Sequence, residues 1–118
     1  FDLGFGNVDY ADATYPDGWW VRWFSWISRL LEDPAFVERV KDRYADFDSQ
    51  RPGIKQNIAG WAEELSLAQA ENDLIWQTIG RYVWPNPVVY DTYEEEVAHL
   101  EDWLDTRMNW MKEALERL

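Results

Sequence analysis

The sequence contains no cysteine, which excludes disulfides, thiolate zinc sites and cysteine nucleophiles. It contains a single histidine, so a di-iron bundle site, which needs two Glu-x-x-His pairs, is excluded although Glu96 and His99 have that spacing. No apolar run reaches the roughly 20 residues of a membrane-spanning helix. These absences exclude several classes of metalloenzyme, and the lack of cysteine leaves the redox compartment undetermined.

Basic residues are scarce as well, because 11 Lys and Arg stand against 23 Asp and Glu, for a formal net charge of −12. Such a charge repels nucleic-acid phosphates and anionic lipid, so we expect no nucleic acid and no membrane surface among the partners. Hydrophobic residues still make up 47% of the 118 residues, which is too apolar for a disordered acidic tail. The length predicts a single folded domain over residues 1–118. Because the chain begins at Phe1 instead of Met, we expect it to be a fragment of a longer protein.

Turn-forming residues dominate the first part of the chain. Residues 1–18 hold three of the six glycines and a proline, which predicts an irregular lead-in. A helical pattern begins at Trp19 and predicts a first helix over residues 19–31. Asp33 followed by Pro34 is a typical helix start, with Asp as the N-cap, and predicts a second helix to about Phe47.

The longest apolar pattern lies in the middle of the chain. Steps of four and three residues over residues 54–82 predict one stripe of an α-helix, about 43 Å long at about 1.5 Å per residue. We expect this helix to be the buried element around which the others pack, and Pro85 and Pro87 to end it near Tyr82. The stripe consists of Ile54, Ile58, Trp61, Leu65, Ala68, Asn72, Ile75, Ile79 and Tyr82.

A capping box opens the last helix, because Glu95 follows Thr92 by three residues. The helix runs to the C-terminus with one apolar stripe, which consists of Val97, Leu100, Leu104, Met108, Met111 and Leu115. Four helices of this kind predict an all-α fold, either a compact bundle or an orthogonal array of about four helices with an irregular N-terminal lead-in.

Several polar residues are candidates for chemistry, and each has a structural alternative. Asp9, Asp12 and Asp17 could bind calcium, but they lack the spacing of an EF-hand loop, which favours a solvated acidic loop. The charged turn around His99 favours an exposed histidine and argues against a serine-histidine hydrolase. Glycoside hydrolysis requires two carboxylates across a cleft, which sequence does not establish. The candidate pairs are Glu63 with Glu64 and Glu101 with Asp102.

Nine tryptophans are the most conspicuous feature of the composition. Most lie on or beside apolar stripes, and aromatic side chains bury large areas in small cores, so we interpret most of them as core residues. Trp19 and Trp20, at the predicted helix start, are the two that we expect to be exposed and to bind a protein partner or a glycan. If a longer protein covers this region, the fragment should show an apolar patch near Trp19 to Trp26.

Asp2-Leu3-Gly4 has the form of a metal-binding turn, in which kinases use an Asp to hold Mg²⁺ against ATP phosphates. The tripeptide alone is unspecific, but four stretches in one order carry a wider resemblance. They are FDLGFGN at residues 1–7, Trp26 to Phe36 with Val40, Arg43 and Tyr44, then Ala70, Asn72 and Trp76, and finally Tyr93, Glu96, Val97, Leu100, Trp103, Leu104, Arg107, Trp110 and Met111. In these stretches the chain resembles the C-terminal part of the spore coat protein H (CotH) kinase family.

The resemblance implies the helical part of the larger lobe of an atypical protein kinase-like fold. It implies a full-length protein of the spore coat, or a secreted bacterial protein, that phosphorylates protein side chains with ATP and Mg or another divalent metal. Asp2 corresponds to the second acid of the family's Asp-x-Asp pair, in the region of metal coordination, while the first acid would precede Phe1. The nucleotide-binding lobe and the upstream catalytic acid are not in this chain, so the resemblance implies that the fragment alone is inactive and carries no cofactor.

Two functions therefore remain open. In the first, the chain is the helical C-terminal portion of a CotH-like kinase, whose partners are the remainder of its own chain and a protein substrate. In the second, it is a non-catalytic helical binding module that uses Trp19 and Trp20.

Overall fold

The structure is a computed structural model that describes Val8, residues 14–19 and residues 21–118. In these residues the secondary structure consists of four α-helices without a β-strand, which confirms the predicted all-α fold. The helices are α1 (Ser25–Leu30), α2 (Pro34–Ser49), α3 (Arg51–Trp76) and α4 (Tyr93–Glu116). Among the described residues, no helix has the length and apolar character needed to cross a membrane.

The predicted helix starts are confirmed where a local capping residue defines them. The Asp33 carboxylate accepts a hydrogen bond from the Ala35 amide at 2.9 Å, and Pro34 occupies the first turn of α2. At α4, the Thr92 hydroxyl accepts from the Glu95 amide at 3.2 Å, and the Glu95 carboxylate accepts from the Thr92 amide at 3.1 Å. This reciprocal pair is the predicted capping box, and it satisfies amides that a helix start leaves without partners.

The first helix is shorter than predicted. Instead of residues 19–31, α1 covers only Ser25–Leu30. The described residues before it form turns, in which the Arg22 amide donates to the Trp19 carbonyl at 3.3 Å and the Phe24 amide to the Val21 carbonyl at 3.2 Å. Bulky aromatic and β-branched residues have lower helix propensity than straight-chain residues, and several of them occur in succession here.

The long helix is also shorter than predicted, because it ends at Trp76 and not near Tyr82. Gln77 adopts a left-handed conformation with a φ of 49°, which is a common helix-ending geometry. The Asp73 carboxylate then accepts from the Ile79 amide at 2.9 Å and holds the chain in this turn. The helix thus ends through local hydrogen bonds before it reaches Pro85.

The expected position of the core was wrong. No residue of α3 is buried, and Trp61, Leu65, Ile75 and Tyr82 of the predicted seam are all exposed. The core lies on α4 instead, where Leu104 is 6% and Met108 is 1% exposed. Its other buried members are Val8, Val37, Tyr44, Ala114 and Leu115. Periodicity shows that a helix has an apolar stripe, but it does not show whether another element of the chain covers that stripe.

Ion pairs connect the three longer helices at the N-terminal end of α3. Arg51 pairs with Asp48 of α2 and, at 3.6 Å, with Asp105 of α4, and its Nη1 donates to Asn109 Oδ1 at 2.7 Å. Lys55 pairs with Asp105 as well. The hydrogen bond to Asp105 raises the pKa of the Lys55 amine. Beside this network, the Tyr44 hydroxyl donates to the Met108 carbonyl.

Removing the same side chain from the two helices tests which of them forms the core. Leu104→Ala should lower the free energy of unfolding by about 2–5 kcal/mol, because it leaves a cavity beside Met108. Leu67→Ala on α3 is the matched control, since Leu67 is 80% exposed, and it should change the free energy by less than about 0.5 kcal/mol. Urea unfolding followed by circular dichroism measures both, and equal losses would contradict the assignment of the core to α4.

Candidate functional site

Three side chains of α4 hold the described part of the lead-in against the helix. Trp103, Arg107 and Trp110 are spaced by four and three residues, so they lie on one face of α4, next to the face that carries Leu104 and Met108. We call these three residues the lead-in clamp. Their partners are backbone and ring groups of residues 14–19.

Arg107 makes the principal contacts of the lead-in clamp. Its Nη1 donates to the carbonyls of Pro16 at 3.0 Å and of Gly18 at 2.8 Å. Gly18 has a φ of 100°, a conformation that residues with side chains disfavour. With Gly18 in this conformation, the carbonyls of Pro16 and Gly18 both accept from Arg107 Nη1. The Trp103 Nε1 donates to the Thr14 carbonyl at 3.0 Å. Three carbonyls of an irregular segment are thereby satisfied by α4, in a place where no helix or strand ladder supplies donors.

Aromatic packing completes the lead-in clamp. The ring of Trp19 meets that of Trp110 edge to face, with 5.1 Å between the ring centroids. The Arg107 guanidinium carbon lies 5.0 Å from the centroid of the Trp110 ring, which is a cation–π distance. Burial lowers the pKa of Arg107, and the nearby Asp17 carboxylate opposes that shift. The guanidinium nevertheless stays protonated at neutral pH, because its ordinary pKa is so high.

The contacts continue toward the N-terminus as far as Val8. The Thr14 hydroxyl donates to the Val8 carbonyl at 2.7 Å, and the Val8 side chain is buried. The chain is thus tied to the core six residues after Asp2. Asp2 itself lies outside the described residues, as do Asp9, Asp12 and Trp20.

Trp19 occupies a different setting from the one expected for a partner-binding residue. It is half-buried against Trp110 and precedes a turn, not a helix. The residues that follow it are the exposed ones, with Trp23 stacked on Phe24 at a centroid distance of 4.1 Å and Trp26 also exposed. An apolar patch therefore exists in this region, as expected, and Trp23 and Trp26 expose more of their side chains than Trp19 does.

The other candidates for chemistry have ordinary environments. Among the residues that the structure describes, no three His, Asp or Glu side chains come together as a metal site would require. His99 is half-buried rather than exposed, with its Nδ1 3.2 Å from the Tyr90 hydroxyl. Glu63 and Glu64 are both exposed on the surface of α3.

Sequence reasoning did not identify the lead-in clamp as a site. Trp103 and Trp110 lie beside the apolar stripe of the last helix, which is typical of core aromatics, and Arg107 stands out in the sequence only through the family resemblance. A usable signal was present, because Trp103, Arg107 and Trp110 share one face of the predicted last helix. An Arg between two Trp residues on such a face indicates a cation that packs against aromatic rings.

Arg107→Met tests the lead-in clamp, because methionine keeps an unbranched stem against Trp110 but removes the donors to Pro16 and Gly18. Hydrogen bonds to charged groups contribute about 1.5–3 kcal/mol each, and Arg107 donates two of them, so we expect the free energy of unfolding to fall by about 3–6 kcal/mol. Amide hydrogen exchange over residues 14–24 should become faster, while exchange in α2 should not change.

Arg117→Met is the matched control, since Arg117 is exposed at the end of α4. It should leave both the stability and the exchange of residues 14–24 as they are. Unchanged exchange in Arg107→Met would show that the lead-in is held without the guanidinium.

Comparison with known proteins identifies the family of this chain. The family described as CotH kinase protein matches residues 1–111 of the 118. No curated protein matches the chain. No solved structure matches it either. The family match includes both the Asp2-Leu3-Gly4 sequence and the lead-in clamp, and it extends over nearly the whole sequence. The chain therefore belongs to the CotH kinase family.

Proposed function

We propose that this chain is the C-terminal helical portion of a CotH-like atypical protein kinase. The full-length protein would transfer phosphate from ATP to protein side chains with the help of Mg or another divalent metal. The observation that carries the proposal is the family match over residues 1–111, which includes the Asp2-Leu3-Gly4 sequence. The lead-in clamp supports it, because α4 binds the backbone of residues 14–18, which follow that sequence in the chain.

Asp2 is the residue of this chain that we propose as a metal ligand. A carboxylate suits Mg²⁺, which prefers oxygen ligands and is bound in kinases through one or two carboxylates and the substrate phosphates. The described residues offer no cluster of acids that would bind a metal by themselves. The remaining ligands would therefore come from ATP and from residues outside the described ones. When bound, the metal would neutralise phosphate charge during transfer.

The role of the described residues in this function is mechanical. Arg107 and Trp103 hold the backbone of residues 14–18 through hydrogen bonds. The hydrogen bond from the Thr14 hydroxyl to the Val8 carbonyl connects these residues to Val8. A metal ligand needs to be held in place, because small displacements of catalytic groups cost large factors in rate. We propose that the isolated chain is inactive, and that its task in the full-length protein is to support the segment that carries Asp2.

A non-catalytic binding module is the second candidate function. The observation that favours it is the apolar patch of Trp23, Phe24 and Trp26, since large exposed apolar patches mark interaction sites. Trp19 and Trp20 belong to the same stretch of sequence. Loss of glycan or protein binding in a Trp23→Ala, Trp26→Ala double variant, without loss of phosphate transfer in the full-length protein, would favour this candidate, since both side chains are exposed.

Phosphate transfer by the full-length protein tests the kinase proposal. Incubated with ATP, Mg²⁺ and a protein acceptor, the unaltered protein should incorporate labelled phosphate. Asp2→Asn should lower the rate by at least about 100-fold, the usual order for a group that stabilises transition-state charge. Omission of the metal should have the same effect.

Asp42→Asn is the control variant, because it makes the same chemical change at an exposed position of α2. It should transfer phosphate at the unaltered rate. If the full-length protein transfers no phosphate, or if Asp2→Asn is as active as Asp42→Asn, the kinase proposal is wrong.

A further inference from the structure

Residues 61–75 of α3 present an apolar surface to solvent. Trp61, Leu65, Ala68 and Ile75 are spaced by four, three and seven residues, so they form one stripe, and Ile75 is 71% exposed. We call these four residues the α3 stripe. It is about 21 Å long at about 1.5 Å per residue. Soluble proteins rarely leave such a stripe uncovered unless another molecule binds there.

Carboxylates line one edge of the α3 stripe. Glu64 and Glu71 lie three or four residues from its members, so they are neighbours of the stripe on the helix surface. Both are exposed, and in the described part of the chain neither forms an ion pair. Beyond these acids lies more apolar surface, with Leu67 exposed and Leu74 82% exposed.

Basic residues are missing from this region of the sequence. None occurs between Lys55 and Arg81, and Lys55 is already paired with Asp105. The surface is therefore apolar with an uncompensated negative edge. An occupant complementary to it needs apolar side chains at helical spacing and basic side chains beside them.

This charge pattern argues against two other occupants of the α3 stripe. The lead-in residues 1–13 contain three Asp but no Lys or Arg, so they do not complement the acidic edge. A second copy would bring the same acidic edge and the same net charge of −12, which opposes association. The arrangement favours a partner of opposite charge.

We infer that the α3 stripe is a docking site for a basic amphipathic helix of a partner protein. The apolar side of that helix packs on Trp61, Leu65 and Ile75, and its Lys or Arg residues pair with Glu64 and Glu71. The α3 stripe extends over about four helical turns, a length suited to the packing of one helix along another. The α3 stripe and the lead-in clamp lie on different helices, α3 and α4.

Isothermal titration calorimetry with a designed probe tests the inference. The probe is a leucine–lysine peptide of about five helical turns, with leucines at helical spacing, and the control peptide has glutamate in place of each lysine. The lysine peptide should bind both the 118-residue chain and the full-length protein, and the glutamate peptide should bind neither. Binding to the 118-residue chain alone would contradict the inference, because it would show that the remainder of the protein covers the α3 stripe. Trp61→Ala and the double variant E64K/E71K should each weaken binding by at least about tenfold.

The double variant D42K/E113K separates the α3 stripe from the overall charge. It changes the net charge as much as E64K/E71K does, at exposed positions of α2 and α4, and its binding should stay within about twofold of the unaltered chain. Circular dichroism checks that each variant folds. Because Glu64 and Glu71 are exposed and unpaired, E64K/E71K provides the test even if Trp61→Ala fails to fold.

Four further outcomes would overturn the inference. The first two are that the lysine peptide does not bind, or that the glutamate peptide binds equally well. The third is that E64K/E71K and D42K/E113K lose the same affinity for the lysine peptide. The fourth is a concentration-dependent dimer that Trp61→Ala abolishes. The last outcome would identify a second copy as the occupant. Sedimentation equilibrium over a range of concentrations measures it.

Discussion

Burial of one face of α4 is the constraint on which the other features depend. Leu104, Met108 and Leu115 are buried, and the Met108 carbonyl also accepts the hydrogen bond of Tyr44 from α2. A helix is a rigid element, so fixing this face also fixes the neighbouring one, which carries Trp103 and Arg107. The position of residues 14–19 relative to the core is therefore set by the packing of α4, although these residues belong to none of the four helices.

The distribution of charge complements this arrangement. The basic residues at the start of α3 are used inside the fold, where Arg51 and Lys55 pair with Asp48 and Asp105. Burial raises the pKa of the adjacent Tyr44 hydroxyl, and the Asp48 carboxylate raises it further. The phenol thus stays protonated and able to donate to the backbone of α4. The acids of the second half of α3 have no such partners among the described residues, so no basic side chain there neutralises their charge.

Local interactions explain which parts of the fold were predictable from sequence. Asp33 and Thr92 define their helix starts by hydrogen bonds to amides two or three residues away, so a short window contains the necessary information. The end of α3 was missed, because the left-handed Gln77 and the bond from Ile79 to Asp73 are not evident in an apolar periodicity. Arg107 was missed as a site residue because its carbonyl partners are about 90 residues earlier in the chain. A pattern within one helix does not reveal such distant partners.

The burial of α3 was predicted wrongly because a pattern within one helix does not reveal which distant elements contact it. Its stripe has the spacing of a core seam, and the spacing is correct, but the two shorter helices and α4 do not cover it. An apolar stripe indicates a contact in the functional protein, and the contacting surface belongs either to the same chain or to a partner. Trp61 and Ile75 add little to the stability of the chain in isolation, since they are exposed. A molecule that binds them would therefore stabilise the fold by mass action, in addition to the contribution of the core on α4.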